Sequence, residues 1–486
     1  MRLRHLATAV EGVRVGRAGP DRDPDVVAVV HDTRAVAAGA LYCCVRGSRV
    51  DGHELAAGAV EQGAVALLVD HELPLDTPQL VVDDVRSAMG PVAAAFWEHP
   101  SADLTVVGVT GTAGKTTMTH LLASIFTEAG RPCGVIGTLS GARTTPEGPE
   151  LQALLADHRR RGDDTVAMEV SSHGLELHRV DATRFAVAVF TNLSQDHLDF
   201  HGTMEAYFAA KARLFAPEFT REAVVCTDDP WGRRLLADLD SAGAVATHPY
   251  RLDDADDLLL SPRGARFTWR GQLVELALAG RFNVRNAVGA ATAAAVAGVP
   301  ADVIARGLSS APAVPGRFEA VDAGQPFTVV VDYSHKPDAL DQALRAAREL
   351  VDGDGELTVV FGCGGDRDTA KRPLMGEVAA RLADQVVLTS DNPRSEDPLA
   401  ILDDIRRGVP PDAAAVVEPD RRRAISRAVA SARPGGVVVI AGKGHETTQV
   451  VGDRAVPFDD RLVARDVLDE LTDDAARAVA RPTKGH

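Results

Sequence analysis

Positive charge is scarce in this chain and nowhere concentrated. Its 486 residues carry 52 Lys and Arg against 69 Asp and Glu, a formal net charge of −17, with no basic block. That excludes a phosphate-neutralising nucleic-acid surface as the main function, so no nucleic-acid partner is expected. Any anionic ligand has to be met by local positive groups. Long apolar runs are missing too. Arg2 and Arg4 give a basic start, but Glu11 and Arg14 interrupt the run a signal peptide needs. The longest Ala/Val-rich stretch, around residues 287–299, is too short to span a bilayer. No membrane insertion and a cytoplasmic location are the expectations. Cysteines number five, at Cys43, Cys44, Cys133, Cys226 and Cys363. They show neither metal-ligand spacing nor a disulfide framework, and read as small buried hydrophobes in a reducing compartment. Cys43 and Cys44 lie on a strand-like run, where neighbours point to opposite faces. Repeats, low-complexity tracts and long linkers are also lacking.

What is present is an alternation of short β-runs and helices at a length that suits about three domains. Residues 1–102 mix apolar runs (26–30, 40–45, 64–69) with turns such as Asp51-Gly52, which predicts a small α/β domain. Residues 103–313 open with a β-run at 104–109, then a Gly-rich turn, then a helix. Leu121, Leu122, Ile125 and Phe126 share one face of that helix, and Gly130 is placed to end it. Further β-runs at 165–170 and 185–190 alternate with helical stretches, the pattern of a parallel sheet covered by helices. Residues 314–486 repeat the logic with runs at 328–332, 357–362, 385–389 and 437–441, each ending in a polar, Gly-rich cluster. Open α/β sheets bind ligands at the carboxyl ends of their strands, so those clusters are where chemistry is expected.

Between the first β-run and the helix of the middle segment lies Gly111-Thr112-Ala113-Gly114-Lys115-Thr116-Thr117. A phosphate-binding loop requires this strand-turn-helix context. Glycines let backbone N–H groups converge on phosphate oxygens, the helix N-terminus adds partial positive charge and Lys115 a full one. The Thr116 hydroxyl is suited to Mg²⁺. The strict pattern has Gly where this chain has Val109, and a turn that merely caps a helix is the alternative. The loop by itself says only nucleoside triphosphate.

Other motifs say more. Met168-Glu169-Val170-Ser171-Ser172-His173 ends one β-run, and Asn192-Leu193-Ser194-Gln195-Asp196-His197-Leu198-Asp199 follows another. With GTAGKTT, the lysine-containing YFAAKARLF, GRFNVRNA, PGRFE, VDYSHKPDAL, GCGGDRD, SDNPR and GKGHE, the chain resembles the Mur ligase family, in order from about residue 31 to 467. The resemblance implies a small α/β N-terminal domain, a central parallel-sheet P-loop ATPase domain and a Rossmann-like C-terminal domain. It implies binding of a UDP-linked precursor by the first, ATP by the second and an amino acid by the third. The ATP set would be Gly111, Thr112, Gly114, Lys115, Thr116 and Thr117 with Asn283, Asn286, Arg317, Asp332 and His335. Residues 280–297 read equally as an Ala-rich packing helix.

The family's Mg²⁺ ligands fall on Glu169 and His197, and the oxygen-rich ligation offered by Thr116 and Glu169 suits a hard cation. The family's carbamylated lysine falls on Lys211, which would bind a second Mg²⁺ as its carbamate. Lys115, Glu169, His197 and Lys211 form the implied catalytic group. A helix-capping or core histidine and a solvated surface lysine are the plainer readings of His197 and Lys211.

His31-Asp32-Thr33-Arg34 and residues 46–53 resemble uridine-diphosphate-binding stretches, with Thr33 where Ser is usual. Thr144, Thr145, Ser171 and Arg179 match contacts to the acceptor's sugar, diphosphate or peptide. Two departures stand out: Ala113 replaces Asn, and only five residues separate Gly137-Thr138 from Thr144-Thr145, where relatives usually have a longer insertion. Arg367, Asp391, Asn392, Arg394, Gly442 and Glu446 match the amino-acid-binding residues. Meso-diaminopimelate differs from lysine by a second carboxylate, which the planar fork of an arginine grips bidentately. Arg394 therefore predicts a diamino dicarboxylic acid, because bound lysine would leave the guanidinium against an amino group. Its plainer reading is a surface salt bridge to Glu396 or Asp397.

The implied reaction is ATP-dependent addition of meso-diaminopimelate to a UDP-linked muramoyl dipeptide through an acyl phosphate, in peptidoglycan precursor synthesis. A monomer is expected. Two other readings are a Mur-type ligase for another amino acid such as L-lysine or for specialised metabolism, and a non-catalytic nucleotide-binding relative.

Overall fold

A computed structural model describes residues 1–16, 22–47 and 50–480, with side chains to residue 471. Ser48 and Arg49, in the stretch expected to meet uridine diphosphate, lie outside the described residues. The chain divides into two compact units, Met1–Arg251 with Gly289–Gly307, and Leu252–Val288 with Leu308–His486.

The first unit holds two sheets. In the N-terminal one, strands β1 (Arg14–Gly16), β2 (Ala28–Val30), β3 (Ala40–Cys43), β4 (Ala66–Val69) and β5 (Gln79–Val81) lie in the order β1-β5-β4-β3-β2. Only β1 runs antiparallel to its neighbour. Leu41 and Cys43 enter one apolar cluster while Tyr42 and Cys44 enter another, the period-2 alternation expected of the cysteine pair.

The second sheet comprises β6 (Thr105–Thr110), β7 (Cys133–Ile136), β8 (Thr165–Glu169), β9 (Val187–Phe190), β10 (Glu222–Cys226) and β11 (Ala246–Tyr250), all parallel, in the order β11-β10-β9-β6-β8-β7. From β6 the chain crosses outward past β8 to β7, returns, then passes to the other flank at β9. The carboxyl end of β6 is thus a topological switch point, where connections diverge and leave a crevice. The helix Lys115–Glu128 starts there, with Leu121, Leu122, Ile125 and Phe126 buried as its spacing predicts. Gly130, at φ +71°, follows its end.

The second unit opens with an antiparallel meander, β12 (Asp256–Ser261), β13 (Gly264–Trp269) and β14 (Gln272–Leu276). Its main sheet is β15 (Glu319–Ala320), β16 (Thr328–Asp332), β17 (Leu357–Phe361), β18 (Gln385–Leu388), β19 (Ala415–Val417) and β20 (Val437–Ala441), in the order β15-β16-β20-β17-β18-β19. All but β15 are parallel. Helices bury one apolar cluster on each face. A hairpin, β21 (Thr448–Val451) and β22 (Arg454–Pro457), follows β20. Among the described residues no helix is long and apolar enough to cross a membrane.

Candidate active site

Gly111 closes β6 at φ +149°, and a Cβ there would lie 1.9 Å from Oγ1 of Thr191, so no side chain fits. Gly114, at φ +87°, turns the chain into the helix Lys115–Glu128. Asn192, at the end of β9, sets the loop. Its carbonyl accepts the Thr112 N–H (2.9 Å), its Oδ1 the Ala113 N–H (3.0 Å), and its Nδ2 donates to the Ala113 carbonyl (3.1 Å). Lys115 Nζ lies over the loop, donating to the carbonyls of Gly111 (2.8 Å) and Thr112 (2.9 Å).

Lys211 comes from the helix Met204–Ala212 and is 1% exposed, which removes the surface-lysine reading. Its Nζ donates to the same Gly111 carbonyl (2.9 Å) and lies 4.7 Å from the ring centre of Tyr207. The Tyr207 hydroxyl in turn meets Thr112 Oγ1 at 3.2 Å. Two ammonium groups therefore crowd one carbonyl oxygen.

Glu169, at the end of β8, is 1% exposed. Its Oε1 accepts the Thr116 hydroxyl (3.0 Å) and the Thr138 N–H (2.8 Å), and its Oε2 the Thr138 hydroxyl (3.3 Å). Gly137 keeps this space open, since a Cβ there would sit 2.3 Å from Oε1. A buried carboxylate ringed by neutral hydroxyl and amide donors, with the first helical threonine of the phosphate loop in contact, suits a hard cation that seeks oxygen. His197 sits at the N-cap position of Leu198–His201 with φ +52°, but its side chain makes no capping bond and is 39% exposed. Its ring meets His173 edge-on at 4.7 Å and Tyr207 at 6.1 Å between centres.

The residues expected on the acceptor side gather in the same unit. Thr145 Oγ1 donates within reach of Ser171 Oγ and the Glu169 carbonyl, both at 3.0 Å, and accepts the Ser171 N–H (2.9 Å). Arg179 donates to the Thr145 carbonyl (3.2 Å) and pairs with Glu147 (2.9 Å). The short stretch after Thr138 closes on itself: Oγ1 of Thr138 lies 3.1 Å from Oγ1 of Thr144. Thr33 lines a cavity of about 260 Å³ together with Tyr42, Arg86, Arg143 and Glu147. Arg34 folds back on Asp32, and this pairing draws the Asp32 carboxyl down to about 2. Arg86 and Arg143 escaped the sequence reading; Arg143 belongs to the shortened stretch, which carries no generic pattern.

In the second unit, Arg317 lies 4.8 Å over the Tyr333 ring. Asp332, at the end of β16, accepts the Phe318 N–H (2.8 Å) and the Ser334 hydroxyl, and burial raises its carboxyl. His335 is pushed down to about 3 by burial and by Lys336 and Lys371, while its Nδ1–H donates to the Tyr333 carbonyl (2.8 Å). Asn283 and Asn286 are buried in the helix Arg281–Val296. Nδ2 of Asn283 caps the Ala279 carbonyl at 2.9 Å, the behaviour of a packing-helix residue.

The residues expected to bind the amino acid lie after the ends of β17, β18 and β20. Arg394, at φ +52°, is held by backbone bonds to the hairpin: its N–H donates to Val450 (3.1 Å) and its carbonyl accepts from Gly452 (2.7 Å). Its guanidinium donates to the Gly365 carbonyl (2.7 Å), and a Cβ on Gly364 would meet Nη1 of Arg394 at 2.8 Å and Cγ of Arg367 at 3.8 Å. The salt-bridge partners expected of a surface arginine are engaged elsewhere. Glu396 pairs with the buried Arg372 (2.9 Å), and Asp397 caps the helix Pro398–Arg406. Gly442, at φ +115°, leaves the Asp391 carboxylate uncovered, since a Cβ would lie 2.6 Å from Oδ2. Asn392 Nδ2 donates to Glu446 Oε2 (2.8 Å).

Three family profiles match in succession: the catalytic domain of the Mur ligase family over residues 25–97, the Mur ligase middle domain over 109–294, and the glutamate ligase domain of Mur ligases over 316–444. The chain is 45% identical to UDP-N-acetylmuramoyl-L-alanyl-D-glutamate–2,6-diaminopimelate ligase of Streptomyces avermitilis, covering 94% of this chain and 95% of the relative. The Geobacillus thermodenitrificans ligase of the same name is 44% identical, covering 97% and 100%. A solved structure bearing that enzyme name superposes with a TM-score of 0.69 at 33% identity, covering 97% of this chain and 99% of the other. The fold is shared with the MurF ligase of Thermotoga maritima in complex with ADP, at TM-score 0.61, 19% identity and coverage of 93% and 98%.

Proposed function

Because the chain belongs to the Mur ligase family, we propose that it is the ATP-dependent ligase that joins meso-2,6-diaminopimelate to UDP-N-acetylmuramoyl-L-alanyl-D-glutamate in peptidoglycan precursor synthesis. The observation that carries the choice of amino acid is Arg394. Its guanidinium is fixed through Gly365 while Glu396 and Asp397 are drawn to other partners, which leaves a fork beside Arg367 for a substrate carboxylate. Residues 1–102, 103–313 and 314–486 serve the UDP-linked acceptor, ATP and the amino acid in that order, and the enzyme acts as a cytoplasmic monomer.

A carboxylate is a poor acylating agent. Transfer of the γ-phosphoryl of ATP to the acceptor carboxylate makes an acyl phosphate and releases ADP. The incoming amine attacks the acyl carbon, loses its proton, and phosphate leaves. No nucleophilic side chain is needed, so the work is positioning and charge neutralisation. Lys115 and the N-terminus of Lys115–Glu128 offset phosphate charge. Thr116, Glu169, His197 and a carbamylated Lys211 would hold Mg²⁺, which would supply further charge compensation between carboxylate and triphosphate. The crowding of Lys115 and Lys211 on one carbonyl supports the modification, because converting one ammonium to a carbamate removes the repulsion. Thr33, Thr144, Thr145, Ser171 and Arg179 take the acceptor.

The test is phosphate release from ATP with the UDP-linked dipeptide and a panel of amino acids. Release is expected to require both acceptor and meso-diaminopimelate. Comparable turnover with L-lysine would overturn the amino-acid assignment, and release with neither added would overturn the coupling.

A further inference from the structure

Lys443, between Gly442 and Gly444 after β20, is 0% exposed, and none of the roles above needs it. A buried ammonium has three donors to satisfy. Nζ satisfies them on Asn392 Oδ1 (3.1 Å), Glu446 Oε2 (3.0 Å) and the Thr448 carbonyl (2.7 Å). Because Asn392 Oδ1 also accepts the Val450 N–H (2.9 Å), the amide has one orientation only, with Nδ2 turned to Glu446. Oε2 of Glu446 is then doubly occupied. Its Oε1 has no hydrogen bond among the described residues, and the side chain is about a third exposed.

Asp391 stands beside this hub. Its carboxylate has no side-chain hydrogen bond among the described residues although the residue is only 8% exposed. Around it, Arg421 is consumed by a fully buried bidentate pair with Asp460 (2.7 and 2.6 Å) and by the carbonyls of Ser390 (3.3 Å) and Ala441 (3.0 Å). Lys443 and Arg421 are the cations held within the cluster of Asp391, Glu446 and Asp460, and Lys371, whose Nζ donates to the His335 carbonyl (2.8 Å), is a further cation that acts on Asp391 without a hydrogen bond to it. Burial lifts the Asp391 carboxyl above its ordinary value, against the opposing pull of Arg421 and Lys443 and with smaller contributions from Glu446 and Asp460.

We propose that Lys443 is a positioning residue for the incoming amino acid, holding Asn392 and Glu446 so that Glu446 Oε1 and the Asp391 carboxylate form a receptor for the substrate's non-reacting ammonium group. This rests on the reading that the second unit binds a diamino acid. Lys443 itself never touches substrate. It supplies the geometry, and the substrate ammonium supplies the donors that Glu446 Oε1 and the Asp391 carboxylate lack.

The experiment compares two amino acids in the full-length enzyme: meso-diaminopimelate and 2-aminopimelate, which keeps the distal carboxylate but lacks the distal amine. Where turnover of 2-aminopimelate is too slow, its inhibition constant replaces KM. Absence of any diaminopimelate turnover by the unmodified enzyme would sink the functional reading rather than this inference. Lys443→Met is expected to raise KM for diaminopimelate about tenfold or more, the scale of a misaligned polar subsite, while KM for ATP stays within about twofold. The preference for diaminopimelate over 2-aminopimelate should shrink by the same factor. An equal loss for both amino acids, or an unchanged KM for diaminopimelate, would overturn the proposal. Should Lys443→Met fail to fold by circular dichroism, Lys443→Gln decides by the same comparison, since a neutral amide with two donors cannot hold Asn392, Glu446 and the Thr448 carbonyl together.

Discussion

Lys115 and Lys211 stand 96 residues apart in sequence, from 211 minus 115, yet share one carbonyl oxygen. If Lys211 carries a carbamate, Lys211→Ala should lower phosphate release by about 10²- to 10³-fold, the usual cost of removing one group that stabilises developing charge. Formate or acetate added to that variant should restore part of the rate by replacing the lost carboxylate. Rate measurements across a series of short acids check this, and no rescue by any of them would count against the modification. His335 makes a second prediction at this scale. Its folded pKa is about 3 against 6.5 for an unperturbed histidine. The folded chain holds a neutral ring, whereas the unfolded chain takes up a proton below pH 6.5. This contribution to stability is complete above pH 6.5 and is lost as the pH falls towards 3. Urea unfolding from pH 7.5 to 4.5 should show a shallower loss for His335→Asn than for the unmodified chain. The sequence marked His335 as a site residue but could not disclose its protonation, which depends on burial and on Lys336 and Lys371 around it.

Among the elements, strands buried on both faces were the most legible. The runs at 328–332 and 437–441 coincide with β16 and β20, because a strand covered by helices on both sides is apolar throughout. The meander β12 to β14 went unread: β12 alternates exposed and half-buried residues and begins Asp256-Asp257, so no apolar run marks it. The loops carrying Asp391 and Gly442 are anchored from beneath. Arg421, at the start of the helix Arg421–Ser431, and Asp460, at the start of Asp460–Ala480, are both 0% exposed in their side chains, and the pair ties down the carbonyls that precede Asp391 and Gly442. Breaking a buried pair strands a charge, so Arg421→Met should cost about 3–5 kcal/mol in urea unfolding. The double variant Arg421→Met/Asp460→Leu should recover much of that cost, because apolar packing replaces a buried ion pair at little expense.

On the scale of the whole molecule, a net charge of −17 has to accommodate a triphosphate, an acceptor diphosphate and a dicarboxylic amino acid. Under the proposed function, Arg86, Arg143 and Arg179 in the first unit and Arg367 and Arg394 in the second would meet that demand locally. Nucleotide binding should show in stability: at 100 times Kd, ATP with Mg²⁺ is expected to add about 2.7 kcal/mol. Thermal melts with and without nucleotide check it, and Lys115→Ala should remove most of the shift. The sequence alone determined the phosphate loop, the order of the motifs, the Mur ligase resemblance and the buried strands, because each depends on residues close together along the chain or on a strict periodicity. Tertiary structure decided the rest. It closed Thr138 on Thr144 across the short stretch, placed Asn192 under the phosphate loop, drew Glu396 and Asp397 away from Arg394, and set Lys443 behind Asn392 and Glu446. Most of these contacts join segments brought together by strand order and register, and hydrogen-bond direction at a buried site depends on every neighbour at once, which no local pattern encodes.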